Sequence, residues 1–434
     1  MTNKNLRSTA GPDGPEIISA SAKAEATRCL FCFDAPCETD CPAGIDVPGF
    51  IRRIMQDNVR GAYQLIRREN PLSWICGALC PTERLCASRC PRKSKDTAID
   101  IAGLQTLASR EHRPTLSSKE GKGSGNGRAA IVGAGPAGLT AAWYLLDRGF
   151  KVDLYEAEEY PGGLVTYGIR PDKVNKERAL NEMEGLLHHP GITTHMKVRI
   201  SDPRDLLKGH SLVYVATGLG PEKVDDAAAH LKNIYPATGF LKEVNKASLK
   251  GRTFRRDFGK GVLVIGGGNT AMDSAIAARL SGASDVTIVY RRTEEEMPAW
   301  GRERETARRH GANFRFLLEP VSFRGKDGRI DRVVFRPTRL GRRGRDGRRE
   351  LIPAGGSNVS IAAGTVIWAT GRKKEMPVWA GSETIDTAHG RLGKSRIWIG
   401  GELRRGAGLV VEAVADGKRI AREIVGVFGE GRLE

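Results

Sequence analysis

The hydrophobic pattern divides the chain into a helical N-terminal part and a longer part in which strands and helices alternate. Between Val47 and Asn70, apolar side chains recur at the three- and four-residue spacing of an amphipathic helix. From Arg128 onwards, apolar runs of strand length are followed by glycines and then by helical stretches rich in Ala and Leu. The pattern predicts an α/β protein in which an α-helical domain precedes two Rossmann-like dinucleotide-binding domains.

Two similar strand ends indicate how the α/β domains are connected. LVYVATG at 212–218 and TVIWATG at 365–371 are apolar strands that end in Ala-Thr-Gly, and we interpret the second as the point of return to the first α/β domain. A Gly- and Ser-rich stretch at 116–127 is typical of a linker. The predicted bounds are a helical domain at 1–115, the linker at 116–127, a first α/β domain in two parts at 128–250 and 372–434, and an inserted second α/β domain at 251–371.

The net charge of +18 is the compositional feature that bears on binding partners. The densest basic block runs from Arg336 to Arg349, and Asp346-Gly347 within it favours a solvated hairpin. A docking surface for an acidic redox partner is the alternative. No recognised nucleic-acid-binding module accompanies the charge, so we expect no nucleic-acid partner. Because the N-terminus is polar and no apolar run reaches about 18 residues, we expect a cytoplasmic protein without a membrane span.

All eight cysteines lie between Cys29 and Cys90, which in a cytosolic protein favours metal binding over disulfides. Their spacings are C-x2-C-x4-C-x3-C-P and C-x3-C-P-x4-C-x3-C-P, and short spacings of this kind let one loop wrap several corners of a 4Fe–4S cluster. Structural zinc is the alternative, but it usually needs paired C-x2-C knuckles. By spacing alone, Cys29, Cys32 and Cys37 bind one cluster and Cys41 reaches a second. Gln105 is a candidate oxygen donor, which would leave Cys76 spare.

The first glycine fingerprint, AAIVGAGPAG at 129–138, lies between an apolar strand and an Ala/Leu-rich helix and predicts an FAD site. Its glycines permit a tight turn, close approach of the pyrophosphate and close helix packing. Glu156 ends the next strand 23 residues after Gly133, where a carboxylate accepts hydrogen bonds from ribose hydroxyls. The predicted FAD contacts are Gly133, Ala134, Gly135, Pro136, Ala137, Gly138, Glu156, Gly163, Leu164, Thr217 and Gly218.

The second fingerprint, VLVIGGGNTAMD at 262–273, has the same order of strand, glycines and helix and predicts the NAD(P)H site. Its predicted contacts are Gly266, Gly267, Gly268, Asn269, Thr270, Arg291 and Arg292. The segment Tyr290-Arg291-Arg292 stands where an NAD site would carry an acid, and two arginines suit the 2′-phosphate of NADPH. The alternative is that these arginines form ion pairs with Glu294–Glu296.

A third glycine segment near the C-terminus completes the predicted flavin site. Gly401 and Glu402 follow the strand IWI, and a helix that begins near Leu409 can direct its positive end at the flavin. Hydride transfer needs alignment and no general acid or base, so we predict no proton-transferring catalytic residue.

The cysteine segments ATRCLFCFDAPCETDCPAGIDVPGFIRRI and NPLSWICGALCPTERLCASRC, with IDIAGLQ, resemble the N-terminal iron–sulfur domain of dihydropyrimidine dehydrogenases. The whole chain resembles the electron-input subunit of the bacterial NAD-dependent enzymes, and the small subunit of glutamate synthase is a close relative. The resemblance implies two 4Fe–4S clusters and leaves Cys76 without a ligand role. The implied ligands are Cys29, Cys32, Cys37 and Cys90 for one cluster, and Cys41, Cys80, Cys86 and Gln105 for the other.

The resemblance also implies a function: NADPH or NADH reduces FAD, and the clusters pass single electrons to a catalytic partner subunit in a hetero-oligomer. Gln105 favours a pyrimidine-reducing partner, because glutamate synthase relatives tend to carry Glu there. The alternatives are a glutamate synthase-like partner, a ferredoxin-like acceptor served by a stand-alone reductase, or a non-catalytic redox and nucleotide sensor. One departure from the family is Glu402, which replaces the common Asp.

Overall fold

The computed structural model describes residues 20–110, 127–220, 222–344, 347–372, 374–375, 378–381, 383–386 and 388–429. Its contacts divide the chain into two compact units. Unit 1 comprises Met1–Val165, Glu177–Gly218 and Met376–Glu434, and unit 2 comprises Thr166–Lys176 and Leu219–Glu375. The domain bounds drawn from the sequence stay a prediction.

The cysteine-bearing part of unit 1 contains helices and loops and no strand in its described residues, as predicted. Its helices are α1 (Ala20–Thr27), α2 (Pro36–Thr39), α3 (Val47–Met55), α4 (Val59–Glu69), α5 (Ser73–Leu79) and α6 (Ile101–Ala108), with short 3₁₀ turns at Thr82–Arg84 and Pro91–Ser94. Side chains cap three of these helices: the side-chain oxygens of Asp46, Asn58 and Asp100 accept hydrogen bonds from backbone amides at the start of α3, α4 and α6.

The segment from Val47 to Asn70 forms two helices, where its periodicity predicted one helical stretch. Asp57 adopts a left-handed conformation (φ 56°), which ends the first helix. The Asn58 side chain then caps the second helix by accepting a hydrogen bond from the Gly61 amide at 2.8 Å. Both helices keep their apolar side chains buried.

The remainder of unit 1 contains the strands β1 (Arg128–Val132), β2 (Lys151–Glu156), β3 (Ile192–Met196), β4 (Leu212–Val215) and β14 (Ile397–Ile399). They form a parallel five-stranded sheet in the order β14-β4-β1-β2-β3. The helices are α7 (Pro136–Asp147), α9 (Lys176–Leu187), α13 (Glu402–Arg405) and α14 (Val410–Gly429), with a 3₁₀ turn at Pro203–Lys208; α8 (Leu164–Tyr167) leads into unit 2. Because β14 pairs with β4, the chain returns to this sheet near its C-terminus.

Unit 2 contains the strands β5 (Ile234–Pro236), β6 (Val262–Ile265), β7 (Val286–Tyr290), β8 (Ala312–Phe316) and β13 (Thr365–Trp368), and the helices α10 (Ala237–Leu249), α11 (Asn269–Leu280) and α12 (Gly301–Arg309). These strands form a second parallel five-stranded sheet, in the order β5-β13-β6-β7-β8. Alternate residues of β6 face opposite cores: Val262 and Val264 pack with the helices, whereas Leu263 and Ile265 pack with an antiparallel sheet.

That antiparallel sheet consists of β9 (Leu318–Lys326), β10 (Arg329–Arg343), β11 (Arg349–Pro353) and β12 (Val359–Ala362). The pairing of β10 with β11 forms the hairpin predicted for the basic block; the predicted turn residue Asp346 lies outside the described residues, and Gly347 has φ 75°. The predicted fold class is confirmed, because a helical segment precedes two parallel sheets and the chain returns to the first sheet after it has formed the second. Over its described residues, the chain has no helix both long and apolar enough to cross a bilayer.

Candidate cofactor and cluster sites

Four cysteines line one largely apolar cavity in the helical part of unit 1. They are Cys29, Cys32, Cys37 and Cys90, and their neighbours in the wall include Val47, Ile51, Ile99 and Ile101. These are the four cysteines that the family resemblance assigns to one cluster. Cys90 lies more than 50 residues from the other three in sequence, and the fold brings it to them.

The other four cysteines form a second group, as their mutual electrostatic interactions indicate. Cys80 interacts with Cys41, Cys76 and Cys86, and its thiol is hydrogen-bonded to that of Cys76. Cys86 also interacts with Cys37 of the first group, so the two groups are neighbours. Cys76 therefore lies among the predicted second-cluster ligands, although the resemblance gives it no ligand role.

Burial keeps several of these thiols protonated. It raises the pKa of Cys37 and of Cys86 to about 12, and it raises the pKa of Cys29 and Cys41 as well. Iron binding must therefore displace protons, as is usual for thiolate sites. Among the described residues, no three His, Cys, Asp or Glu side chains converge on a site for a single metal ion. In a 4Fe–4S cluster each cysteine binds a different iron, so cysteines surrounding a space fit a cluster better than one zinc ion.

Gln105 lies on the buried face of α6, beside α5. Its amide nitrogen donates a hydrogen bond to the carbonyl oxygen of Ser73 at 2.6 Å. Because a carbonyl only accepts, this contact assigns the nitrogen of the Gln105 amide to the Ser73 side. The amide oxygen is then the atom that Gln105 can offer to iron, as the predicted ligand set requires.

The first glycine turn has the shape of a dinucleotide site. A Cβ on Gly133 (φ 107°) would lie 2.5 Å from the carbonyl oxygen of Ala216 and 3.1 Å from the amide nitrogen of Thr217, and one on Gly138 would lie 1.9 Å from the Gly133 oxygen. A Cβ on Gly135, in contrast, would meet nothing within 4 Å. No side chain caps α7 at this residue, so the turn leaves space beside free helix amides, and this arrangement fits a pyrophosphate.

Glu156 is fixed beside this turn by two backbone hydrogen bonds. One carboxylate oxygen accepts from the amide of Ala134 at 2.8 Å, and the other accepts from the amide of Glu158 at 2.9 Å. Gly163 also approaches the turn, because a Cβ on it would lie 3.3 Å from the Cα of Gly135, and the neighbouring Leu164 is partly exposed. The predicted FAD contacts in this segment therefore gather around one turn.

The C-terminal glycine segment meets the same site from α13 and α14. A Cβ on Gly401 would lie 3.0 Å from the Cβ of Ala137, and one on Gly218 would lie 3.7 Å from a carboxylate oxygen of Glu402. The Leu409 amide donates to Glu412 at 2.7 Å at the start of α14. Gly401 and Glu402 thus lie beside α7 and β4, near the turn that the flavin would occupy.

The second glycine turn, in unit 2, also combines crowding with open space. A Cβ on Gly266 would lie 2.1 Å from the carbonyl oxygen of Ala369, whereas one on Gly268 would meet nothing within 4 Å. The Asn269 side chain accepts a hydrogen bond from the Trp300 amide at 3.0 Å, and Thr270 is half-buried in the first turn of α11. No side chain caps this helix at Gly268, which again leaves its amides for a phosphate.

The two arginines after β7 do not pair with the acids that follow them. Arg291 is half-exposed and its nearest ion-pair partner is Glu319, at 4.0 Å, while Arg292 donates to the carbonyl oxygen of Arg349 at 3.3 Å. Within the described chain, Glu294 pairs with Arg304 and Arg308, and Glu296 pairs with Arg343. These contacts do not favour the ion-pair alternative; both arginines follow Tyr290, whose ring lies against Gly267 of the second glycine turn.

Two buried charged residues that contact the cysteine helices escaped the sequence analysis. Lys418 of α14 is buried; its ammonium donates to the carbonyl oxygen of Ala43, two residues after Cys41, at 2.8 Å and pairs with Glu69. Glu182 of α9 is buried against the start of α5, and burial raises its pKa to about 7. The sequence indicated each contact only by a charged residue at a position of the helix that is buried.

Comparison with known families agrees with these sites. Residues 14–115 match the family described as dihydropyrimidine dehydrogenase domain II, 4Fe–4S cluster. Residues 127–417 match the family described as pyridine nucleotide-disulphide oxidoreductase.

Several relatives from Escherichia coli K12 align with almost the whole chain. The NAD-dependent dihydropyrimidine dehydrogenase subunit PreT is 32% identical over 94% of this chain and 95% of its own length. The NADPH-type glutamate synthase small chain is 30% identical over 93% of this chain and 91% of its own length. The putative oxidoreductase AegA is 33% identical over 94% of this chain, which covers 66% of AegA.

Solved structures support the fold of the α/β part. FprA of Mycobacterium tuberculosis in complex with NADPH matches with a TM-score of 0.59 and 21% identity, over 70% of this chain and 85% of its own. Thioredoxin reductase of Lactococcus lactis matches with a TM-score of 0.51 and 21% identity, over 70% of this chain and 99% of its own.

Proposed function

Because the chain belongs to the pyridine nucleotide-disulphide oxidoreductase family and carries the 4Fe–4S domain of dihydropyrimidine dehydrogenases ahead of it, we propose that it is the electron-input subunit of a pyrimidine-reducing enzyme. It is an NAD(P)H oxidoreductase that uses FAD and 4Fe–4S chemistry. The finer proposal is that NADPH is the donor, that two clusters form the relay, and that uracil or thymine is reduced on a partner subunit.

Within unit 1, the contacts of α7 and α14 with the cysteine helices carry the electron route in this proposal. Lys418 of α14 holds the loop after Cys41, and the hydroxyl of Tyr144 on α7 donates to the carbonyl oxygen of Arg68 on α4 at 2.6 Å. Helices α7 and α14 both adjoin the first glycine turn, because a Cβ on Gly417 would lie 2.3 Å from the Ala137 oxygen. Two helices of the flavin site thus pack directly on the cysteine-bearing segment.

Each part of the chain has a binding or positioning task in this reaction. When bound, FAD accepts a hydride from the nicotinamide, and the clusters carry single electrons. The free amides of α7 and α11 hold the two pyrophosphates, and Glu156 accepts from the FAD ribose. Arg291 and Arg292 bind the 2′-phosphate of NADPH. The cysteine helices exclude water around the clusters and fix their ligands.

The surface near the first cysteine group supports an exit for electrons there. Leu30 and Phe33 flank Cys32 and are exposed, Phe33 fully so. Exposed apolar side chains beside a redox site are typical of a surface that a partner covers. We propose that the pyrimidine-reducing subunit docks on Leu30 and Phe33 and takes electrons from the cluster behind them.

A partner assay tests the proposal. The anaerobically purified chain should contain FAD and about eight irons per chain, and NADPH should bleach both chromophores. With a pyrimidine-reducing subunit it should reduce uracil; with a glutamate synthase large subunit it should not support glutamate formation. Glutamate formation without uracil reduction would replace the proposed partner, and protein without iron or flavin would overturn the proposal as a whole.

A further inference from the structure

One buried carboxylate joins helix α9 to the cysteine helices within unit 1. Glu182 lies on α9 and is 6% exposed. Its two oxygens accept hydrogen bonds from the amides of Trp74 at 2.7 Å and Ile75 at 2.9 Å, and from the hydroxyl of Ser73 at 3.2 Å. These groups form the first turn of α5, which lacks a side-chain cap of its own at Leu72. Glu182 therefore caps α5 from a distant part of the chain.

One turn earlier on α9, Arg178 holds the end of the neighbouring helix. Its guanidinium donates to the carbonyl oxygen of Ser109, the residue that caps the C-terminus of α6, at 3.0 Å. It also lies 5.2 Å from the ring centroid of Trp74, within the range of a cation–π contact. Residues four apart on a helix share a face, so α9 contacts the start of α5 and the end of α6 together.

The two helices held in this way carry predicted ligands of the second cluster. Cys80 caps the C-terminus of α5, and Gln105 lies on α6. The Gln105 amide is bonded to the carbonyl oxygen of Ser73, whose hydroxyl donates to Glu182. The helices are closely packed, because a Cβ on Gly77 would lie 2.6 Å from the Thr106 hydroxyl oxygen. A movement of the first turn of α5 would therefore move the bond that orients Gln105.

We propose that Arg178 and Glu182 are positioning residues that fix α5 and α6 and thereby set the environment of the second cluster. We refer to these two residues as the α9 clamp. The proposal rests on the proposed function, because it assumes that Cys80 and Gln105 bind iron. The α9 clamp makes no described contact with Cys29, Cys32, Cys37 or Cys90, so it should leave the first cluster unchanged.

The test is an anaerobic redox titration of the complete protein followed by electron paramagnetic resonance. Both oxygens of Glu182 accept hydrogen bonds from α5, and Glu182→Gln replaces one of them with an NH₂ group that only donates, so at least one bond to α5 is lost. We expect the second cluster to change its midpoint potential and its spectrum, with the first cluster and the flavin unchanged. The signal altered by Gln105→Leu identifies the second cluster.

A matched control and a milder variant separate positioning from folding. Glu177→Gln makes the same chemical change at an exposed position of α9 and should leave both clusters as in the wild type. Arg178→Gln should shift only the second cluster, and Arg178→Lys should restore part of the wild-type value. Faster hydrogen exchange at the Trp74 and Ile75 amides of Glu182→Gln gives a readout that does not depend on turnover.

The outcomes distinguish this inference from the proposed function. If the wild type contains no iron, the proposed function has failed. If the wild type contains two clusters and neither Glu182→Gln nor Arg178→Gln shifts the second one, the α9 clamp is wrong. Equal changes at both clusters in these variants, or the same shift in Glu177→Gln, would also overturn it.

Discussion

The two glycine turns of this chain share one backbone arrangement and differ in the side chains that complete it. The Gly133 amide donates to the carbonyl oxygen of Tyr155 at 2.8 Å, and the Gly266 amide donates to that of Val289 at 3.0 Å. The next residue on each strand, Glu156 in one and Tyr290 in the other, therefore holds the equivalent position. In the first turn this position carries the acid that we predict to accept from a ribose, and in the second turn it carries an aromatic ring.

The residue that packs against this position is smaller in the turn where the side chain is larger. Ala134 of the first turn lies beside the slender carboxylate of Glu156, whereas a Cβ on its counterpart Gly267 would lie 2.5 Å from the Tyr290 ring. The last fingerprint position differs as well. Gly138 has no room for a methyl group, but its counterpart Ala271 is a fully buried alanine. The two turns thus share a glycine pattern and differ in the space that the residues around it leave.

The largest expected effect comes from a substitution at the last glycine of the first fingerprint, Gly138, compared with one at its counterpart Ala271. Gly138→Ala would place a Cβ 1.9 Å from a backbone oxygen, and we expect it to destabilise the folded state by more than about 3 kcal/mol and to abolish FAD retention. Ala271→Gly removes a methyl group from a helix that tolerates it and should cost about 1 kcal/mol. Denaturant unfolding and the flavin-to-protein ratio measure both effects. Similar losses in the two variants would contradict the difference between the turns.

The parts of the site that local signals encode were predictable from the sequence. Short sequence patterns, which can be recognised without knowledge of the fold, were sufficient to find the glycines of both turns, Glu156 and the cysteine groups. The sequence did not show that Glu156 and Tyr290 occupy equivalent positions. The acid follows its glycine by 23 residues and the tyrosine by 24, and only the strand register aligns them.

Contacts between distant segments could not be predicted. Glu182 reaches the Trp74 amide across 108 residues, and Lys418 reaches the Ala43 oxygen across 375. Such contacts depend on how helices pack, and helix periodicity does not specify which helices become neighbours. The break at Asp57 was missed for a related reason, since a single left-handed residue leaves the apolar periodicity almost intact.

An intermediate effect should come from the middle glycines, where both turns have open space. A Cβ on Gly135 or Gly268 meets no protein atom within 4 Å, so Gly135→Ala and Gly268→Ala should fold normally. The added methyl group would instead oppose the pyrophosphate, and we expect about 100-fold weaker nucleotide binding, or about 2.7 kcal/mol. Gly135→Ala should lose FAD, and Gly268→Ala should keep FAD and raise the KM for NADPH.

These two variants sharpen the assignment of the turns. If Gly268→Ala lost FAD and Gly135→Ala kept it, the two nucleotide sites would have to be exchanged. Gly209→Ala is a suitable control, because a Cβ there also meets nothing within 4 Å and the residue lies outside both turns.

The smallest expected effect concerns the residue after Tyr290. Arg291 is half-exposed and only 4.0 Å from Glu319, so its contact with a 2′-phosphate would be partly screened by solvent. We expect Arg291→Ala to weaken binding of 2′,5′-ADP about tenfold, or about 1.4 kcal/mol, and to leave binding of 5′-AMP unchanged. Calorimetry with both ligands measures the difference without turnover. Arg339→Ala removes the same charge from an exposed position of β10 and should affect neither ligand. Equal weakening of both ligands by Arg291→Ala would show that the second turn does not use this arginine to distinguish NADPH from NADH.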